Sequence, residues 1–172
     1  MKKLLLFALI LLGTNFQVVS GQSFGTEIGN RAPEIRLPAL NGDTIPLSSL
    51  KGKLVLIDFW ATWCLPCVKE QPELAQLHNK YKNAEFTSGK GFEIYGISMD
   101  SKKATWEGAV NKYGITWIQV SDLKFWSSPV AKAYNLQELP YNLLLDGNGI
   151  ILAKNLHGED LEKELARHLL RK

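Results

Sequence analysis

The sequence predicts an α/β fold, a central mixed β-sheet flanked by helices with an N-terminal β-hairpin extension, and three observations predict it. Leu54-Val55-Leu56-Ile57-Asp58-Phe59-Trp60 is an apolar run broken by a single acid, the pattern of a central strand covered on both faces. Segments with strand and helix patterning then follow one another along the chain. Near the C-terminus, two apolar runs flank Asp146-Gly147-Asn148-Gly149, a hairpin turn signal, and a last helical repeat follows.

The elements follow in order. Lys2 and Lys3 precede the apolar run Leu4 to Leu12 and a polar stretch ending Val18-Val19-Ser20-Gly21, so residues 1–20 read as an export signal peptide cut after Ser20 or Gly21. The alternative is an uncleaved membrane anchor, although the run is shorter than the ~20 apolar residues of a spanning helix. Residues 21–31, rich in Gly, Ser and Thr, are expected to form a flexible leader, and 32–172 the domain. Ala32 to Pro38 and Thr44 to Leu47 read as strands around Asn41-Gly42-Asp43. Helical spacing begins after the cysteines and runs to about Tyr81, with Leu74, Leu77 and Tyr81 on one face and a kink expected at Pro72. Asn83 to Gly91 reads as a polar loop. Phe92 to Met99 and Thr116 to Val120 read as strands, Lys102 to Tyr113 and Trp126 to Tyr134 as helices. Tyr141 to Leu145 and Ile150 to Lys154 form the hairpin, and Asp160 to Leu170 is a helix with Leu161, Leu165 and Leu169 at helical spacing.

With 172 residues and 45% hydrophobic content, the chain suits one domain with a substantial core. The formal charge of +3 includes Lys2 and Lys3; without residues 1–20, 18 basic residues face 17 acidic ones. A nearly neutral domain gives no reason to expect a nucleic-acid partner.

The two cysteines, Cys64 and Cys67, are separated by two residues. A bridge closing so small a loop restricts the unfolded chain little and is a poor structural staple. Reversible redox chemistry is the better use. At the carboxyl end of a buried strand and the first turn of a helix, unpaired N–H groups and the helix dipole favour a thiolate at Cys64. Zinc is the alternative, but it takes about four ligands, and His78, His157 and His168 form no fitting cluster, so no metal and no cofactor beyond the redox disulfide are expected.

Asp58, the one charge in its strand, should have its pKa raised by burial and so become a proton acceptor for a thiol. Glu70 lies one helical turn beyond Cys67, on the same side of the helix; otherwise it is a solvated surface acid. Trp60 and Trp63 read first as packing residues, with Trp63 also placed to cover the redox pair and touch substrate.

The segment Val55 to Cys67, ending Trp60-Ala61-Thr62-Trp63-Cys64-Leu65-Pro66-Cys67, resembles the active-site segment of the thioredoxin superfamily. Its flanks are similar to the exported TlpA/ResA-like thiol–disulfide oxidoreductases: Ala32-Pro33, Leu50-Lys51-Gly52-Lys53, the Cys67 to Leu74 stretch, Gly91 to Ile94, and Leu139-Pro140. The likeness covers about residues 30 to 171. It implies a thioredoxin-like fold in which Cys64 is the exposed nucleophile, Cys67 the resolving thiol and Pro66 the residue shaping the turn. It also implies a cis-proline at Pro140, which leaves the Leu139 backbone free to pair with a substrate strand, and an acid at Glu70 that tunes the thiols. Thioredoxin has an acid at Asp58 too, but the lysine that partners it there is replaced by Gly96.

Strong oxidants of this fold resemble C-x-H-C, whereas Leu65-Pro66 offers no charge to steady a thiolate, so a disulfide reductase is expected. The resemblance implies protein disulfides, apocytochrome c thiols among them, as substrates in an exported, periplasmic compartment, and a membrane thiol-transfer protein as electron donor. Two alternatives stand. Peroxiredoxins share the entry segment but carry a proline and a threonine before the reactive cysteine, of which only Thr62 is present. Copper-carrying relatives use C-x-x-x-C, one residue longer than the spacing here.

Overall fold

All seven residues of strand β3, Leu54–Trp60, are buried, Asp58 included. The structure, a computed structural model, describes residues 23–170, so the export signal read over 1–20 lies outside the described residues. Around β3 runs a five-stranded sheet, in order with β7 (Ile118–Val120), β6 (Phe92–Ser98), β3, β8 (Tyr141–Leu145) and β9 (Ile151–Lys154). β3 pairs in parallel with β6 and β6 with β7, while β8 is antiparallel to both β3 and β9. The carboxyl ends of β3, β6 and β7 therefore share one edge with the amino end of β8.

Helix α1, Leu65–Tyr81, packs on one face through Cys67, Gln71, Leu74, Leu77, His78 and Tyr81, beside α4, Gly158–Arg167. It continues through Pro72, whose missing N–H leaves the Val68 carbonyl without its usual donor. Helix α2 is Lys103–Lys112 and α3 is Pro129–Ala133, the latter preceded by a 3₁₀ turn at Phe125–Ser127. The expected N-terminal hairpin is β1, Arg36–Pro38, with β2, Thr44–Pro46, turning at Gly42, whose φ of 92° suits glycine. It is held to β7 by Ser121 N donating to the Pro38 carbonyl. Among the described residues no helix is long and apolar enough to cross a membrane.

Several expectations are revised. Asn83 to Gly91 is no loop but a small hairpin, β4 (Glu85–Phe86) with β5 (Gly89–Lys90). Phe86 is buried against Tyr81 and bridges Leu169, and a Cβ at Gly89 would stand 2.3 Å from the Gly52 carbonyl oxygen. Leu169 thus lies beyond α4, paired with a strand rather than continuing the helix. The helix α1 begins between the cysteines, not after them. Residues 23–31, read as part of a leader, are held to the domain: Gly29 N donates to the Ile151 carbonyl, Ile151 N to the Asn30 carbonyl, and Arg31 bridges Ile150.

Candidate active site

Beyond Trp60 the chain turns through Ala61-Thr62-Trp63 and enters α1. Cys64 is the helix N-cap, extended at φ −86° and ψ 98°, and its Sγ accepts from Cys67 N at 3.2 Å. It caps the first turn rather than lying within it, yet still meets an unpaired helix N–H. Pro66 occupies an opening position of the helix, where no N–H is needed. Cys64 and Cys67 are joined in a disulfide. Cys64, expected to be exposed, is buried in the disulfide form at 6% exposure, and Cys67 more deeply at 1%.

Leu139–Pro140 is a cis peptide directly before β8. Because Tyr141 pairs with Phe59, Pro140 stands beside the end of β3 from which the cysteines depart. The Leu139 N–H and carbonyl form no hydrogen bond among the described residues.

Asp58 lies beneath this edge. Burial, and then the charge of Glu70, push its carboxyl up to about 7, and Oδ2 has no hydrogen-bond partner among the described residues. Its register partners are Gly96 on β6 and Asn142 on β8. Asn142 is committed elsewhere, donating to the Leu156 carbonyl at 2.8 Å and accepting from Leu156 N at 3.0 Å. Glu70 is half-buried, with Oε1 3.0 Å from His157 Nδ1 in a pairing not aligned for a hydrogen bond. The charge of Glu70, itself partly exposed, thus adds to the effect of burial on Asp58.

Three groups escaped the sequence reading. Buried Asp100 accepts from Thr62 N, from Thr62 Oγ1 at 2.6 Å and from Ser98 Oγ at 2.8 Å, tying the residues before Cys64 to the end of β6. Its signal was an acid at the carboxyl end of an apolar strand. Gln119 accepts from Trp60 Nε1 at 2.9 Å, a contact with no local sequence signal. Phe125 and Trp126 place their rings 5.3 and 6.5 Å from Trp63, and all three are exposed, as is Leu65, next to Cys64 in the chain. Neighbouring aromatics in Phe125-Trp126 after a strand end could have marked this cluster. Among the described residues no group of three or more His, Cys, Asp or Glu is placed to hold a metal ion.

A C-x-x-C disulfide capping a helix at the carboxyl edge of such a sheet, with a cis-proline alongside, defines a thioredoxin-like thiol–disulfide oxidoreductase. The chain belongs to the AhpC/TSA family, whose model matches residues 28–154. It is 33% identical over 143 residues to the thiol-disulfide oxidoreductase ResA of Bacillus thuringiensis (strain Al Hakam), covering 83% of this chain and 77% of that protein. Among solved structures, a thiol-disulfide oxidoreductase from Bacteroides fragilis superposes with a TM-score of 0.72 at 36% identity, covering 80% of this chain and 98% of the other. The thioredoxin domain of a thiol-disulfide oxidoreductase from Bacteroides vulgatus gives 0.74 at 35%, over 82% and 96%.

Proposed function

We propose that this oxidoreductase works as a protein-disulfide reductase in an exported, periplasmic compartment, drawing electrons from a membrane thiol-transfer protein. Asp58 carries the reading: a buried acid near neutral pKa on the strand that leads to the redox pair, raised by burial and then by the charge of Glu70. The reduced pair meets a partner disulfide. The Cys64 thiolate attacks one partner sulfur, forming a mixed disulfide and releasing the other partner sulfur as thiolate. Cys67 gives its proton to Asp58 and attacks Cys64 Sγ, which restores the Cys64–Cys67 disulfide and frees the second partner sulfur. Two electrons pass from the dithiol to the partner, and Asp58 returns its proton. The donor then reverses the cycle on this chain. The export signal in residues 1–20 supports the location, membrane association follows only if that segment is retained, and apocytochrome c is a substrate the resemblance suggests.

Trp63, Phe125 and Trp126 suit the landing of a polypeptide, since they form an exposed aromatic cluster that reaches the residue before Cys64, and exposed Leu65 follows Cys64 in the chain. Leu123 and Phe125 hold left-handed φ values of 57° and 53°, which large side chains seldom adopt, and that local cost supports a role for the loop. The free Leu139 backbone suits an extended partner strand. Acids near the pair and no cation between the cysteines disfavour the thiolate, which is the reducing direction. The peroxidase alternative gains nothing from Thr62, whose hydroxyl donates to Asp100.

The test is the reduction potential of the pair together with trapping by Cys67→Ala. A potential near the ~−270 mV of thioredoxin, and partners captured as mixed disulfides through Cys64, are expected. A potential near the ~−120 mV of strong oxidants would reverse the direction. Peroxide consumption rivalling disulfide reduction would point to the peroxidase instead.

A further inference from the structure

Of the buried polar atoms that have no hydrogen-bond partner among the described residues, two on the central sheet are complementary. Asp58 Oδ2 is an acceptor without a donor, and Gln119 Nε2 is a donor without an acceptor. Sheet register puts them in one row. Asp58 on β3 pairs with Gly96 on β6, and Gly96 pairs with Gln119 on β7. Their side chains share a face, and the residue between them has none.

Gln119 fills that space. A Cβ built at Gly96 would fall 2.1 Å from Gln119 Nε2, so the amide lies over the bare glycine backbone. Which end of the amide faces which way is fixed by Trp60. An indole N–H can only donate, and it meets Oε1 at 2.9 Å, so Nε2 is the end left free. Adjacent strands stand about 4.8 Å apart, which brings the free donor within one strand spacing of Asp58.

We propose that Gln119 is a positioning residue for Asp58: the two atoms are not hydrogen-bonded in this oxidised structure, but the amide, aimed by Trp60 across Gly96, is placed to donate to Oδ2 when the carboxyl ionises. The other groups around Asp58 do not serve. Glu70 on α1 repels a carboxylate, with His157 standing behind it; Gly96 on β6 has no side chain; Asn142 on β8 spends its amide on Leu156. An amide in this place steadies the carboxylate without a charge, so Asp58 can both take and return the proton of Cys67. The inference rests on the reductase reading only for the use made of that proton.

The test follows the Asp58 carboxyl by carbon NMR across pH in the oxidised full chain, with no substrate present, so it stands or falls apart from partner trapping. Gln119→Met keeps the bulk and removes the donor, and is expected to raise the Asp58 midpoint by about one pH unit, the worth of one hydrogen bond to a charged group. Gln119→Lys restores a donor with a charge and is expected to bring the midpoint below that of the natural protein. Should Gln119→Met not fold, Gly96→Ala pushes the amide aside and is expected to raise the midpoint likewise. An unmoved midpoint when the donor is removed or displaced overturns the proposal. So does a rise in both Gln119→Met and Gln119→Lys, which would mean that Gln119 only fills space.

Discussion

At position 58 the fold holds an acid it does not solvate, and the consequence is visible in stability before any chemistry. Burial first, and Glu70 second, raise the Asp58 carboxyl from 3.8 to about 7. Between those values the unfolded chain releases a proton that the native chain keeps, so stability falls as pH rises from about 4 to about 7 and is level beyond. Asp58→Asn abolishes this slope. Thermal unfolding of the variant is expected to match or trail the natural protein at pH 4 and to exceed it at pH 8, by at most about 4 kcal/mol. On the proposed cycle the same substitution should slow disulfide reduction, because Cys67 would lose its proton acceptor. A variant no more stable at pH 8 than at pH 4, relative to the natural protein, would show that Asp58 is ionised without cost. The sequence alone singled out Asp58, Glu70 and the cysteines, because a lone acid in an apolar strand and a C-x-x-C pair are local patterns. It was silent on Gln119, whose place depends on the register of three strands that meet only after folding.

Among the elements, the segment between β7 and α3 is built for rigidity. Ser121 Oγ donates to the Ser98 carbonyl and accepts from Leu123 N, while Asp122 accepts from Lys124 N and from Ser128 Oγ. These bonds hold Phe125 and Trp126 against Trp63 despite the left-handed backbone. Trp126→Ser should leave reduction of the Cys64–Cys67 disulfide by dithiothreitol unchanged, since the thiol chemistry is untouched. It should lower kcat/KM for a protein disulfide by about tenfold, the scale of one aromatic contact of about 1.4 kcal/mol. Equal loss with both would assign the cluster to the integrity of the site instead of to substrate. The element boundaries show where sequence patterning ends. β3 was legible residue for residue, since burial on both faces writes an unbroken apolar run. The hairpin β4–β5 was not, because two-residue strands carry no period, and Phe86 owes its burial to Tyr81 and to Leu169 far along the chain. The Gly, Ser and Thr of residues 23–31 suggest a leader, whereas backbone bonds to β9, invisible in composition, hold them.

For the whole molecule, folding and reduction form one thermodynamic cycle, which turns the direction of electron flow into a melting experiment. A fold that favours its disulfide over its dithiol has a low potential and loses stability on reduction; a fold that favours the dithiol does the opposite, as in strong oxidants. The structure bears on the sign. Reduction places two thiols where Cys67 is almost wholly enclosed, above buried Asp58 on β3 and one turn before Glu70 on α1, and neither Leu65 nor Pro66 supplies a cation to offset a thiolate. The oxidised protein is therefore expected to melt above the reduced one. Each ~30 mV of preference is about 1.4 kcal/mol, and a chain of this size shifts by roughly 2–4 °C per kcal/mol, so a gap of several degrees should be resolved by circular dichroism with and without reductant. Repeating the pair of melts in Cys64→Ser removes the disulfide, and the gap should vanish with it. A reduced form that melts higher would make the protein an oxidant, with the same fold and the same two sulfurs running electrons the other way.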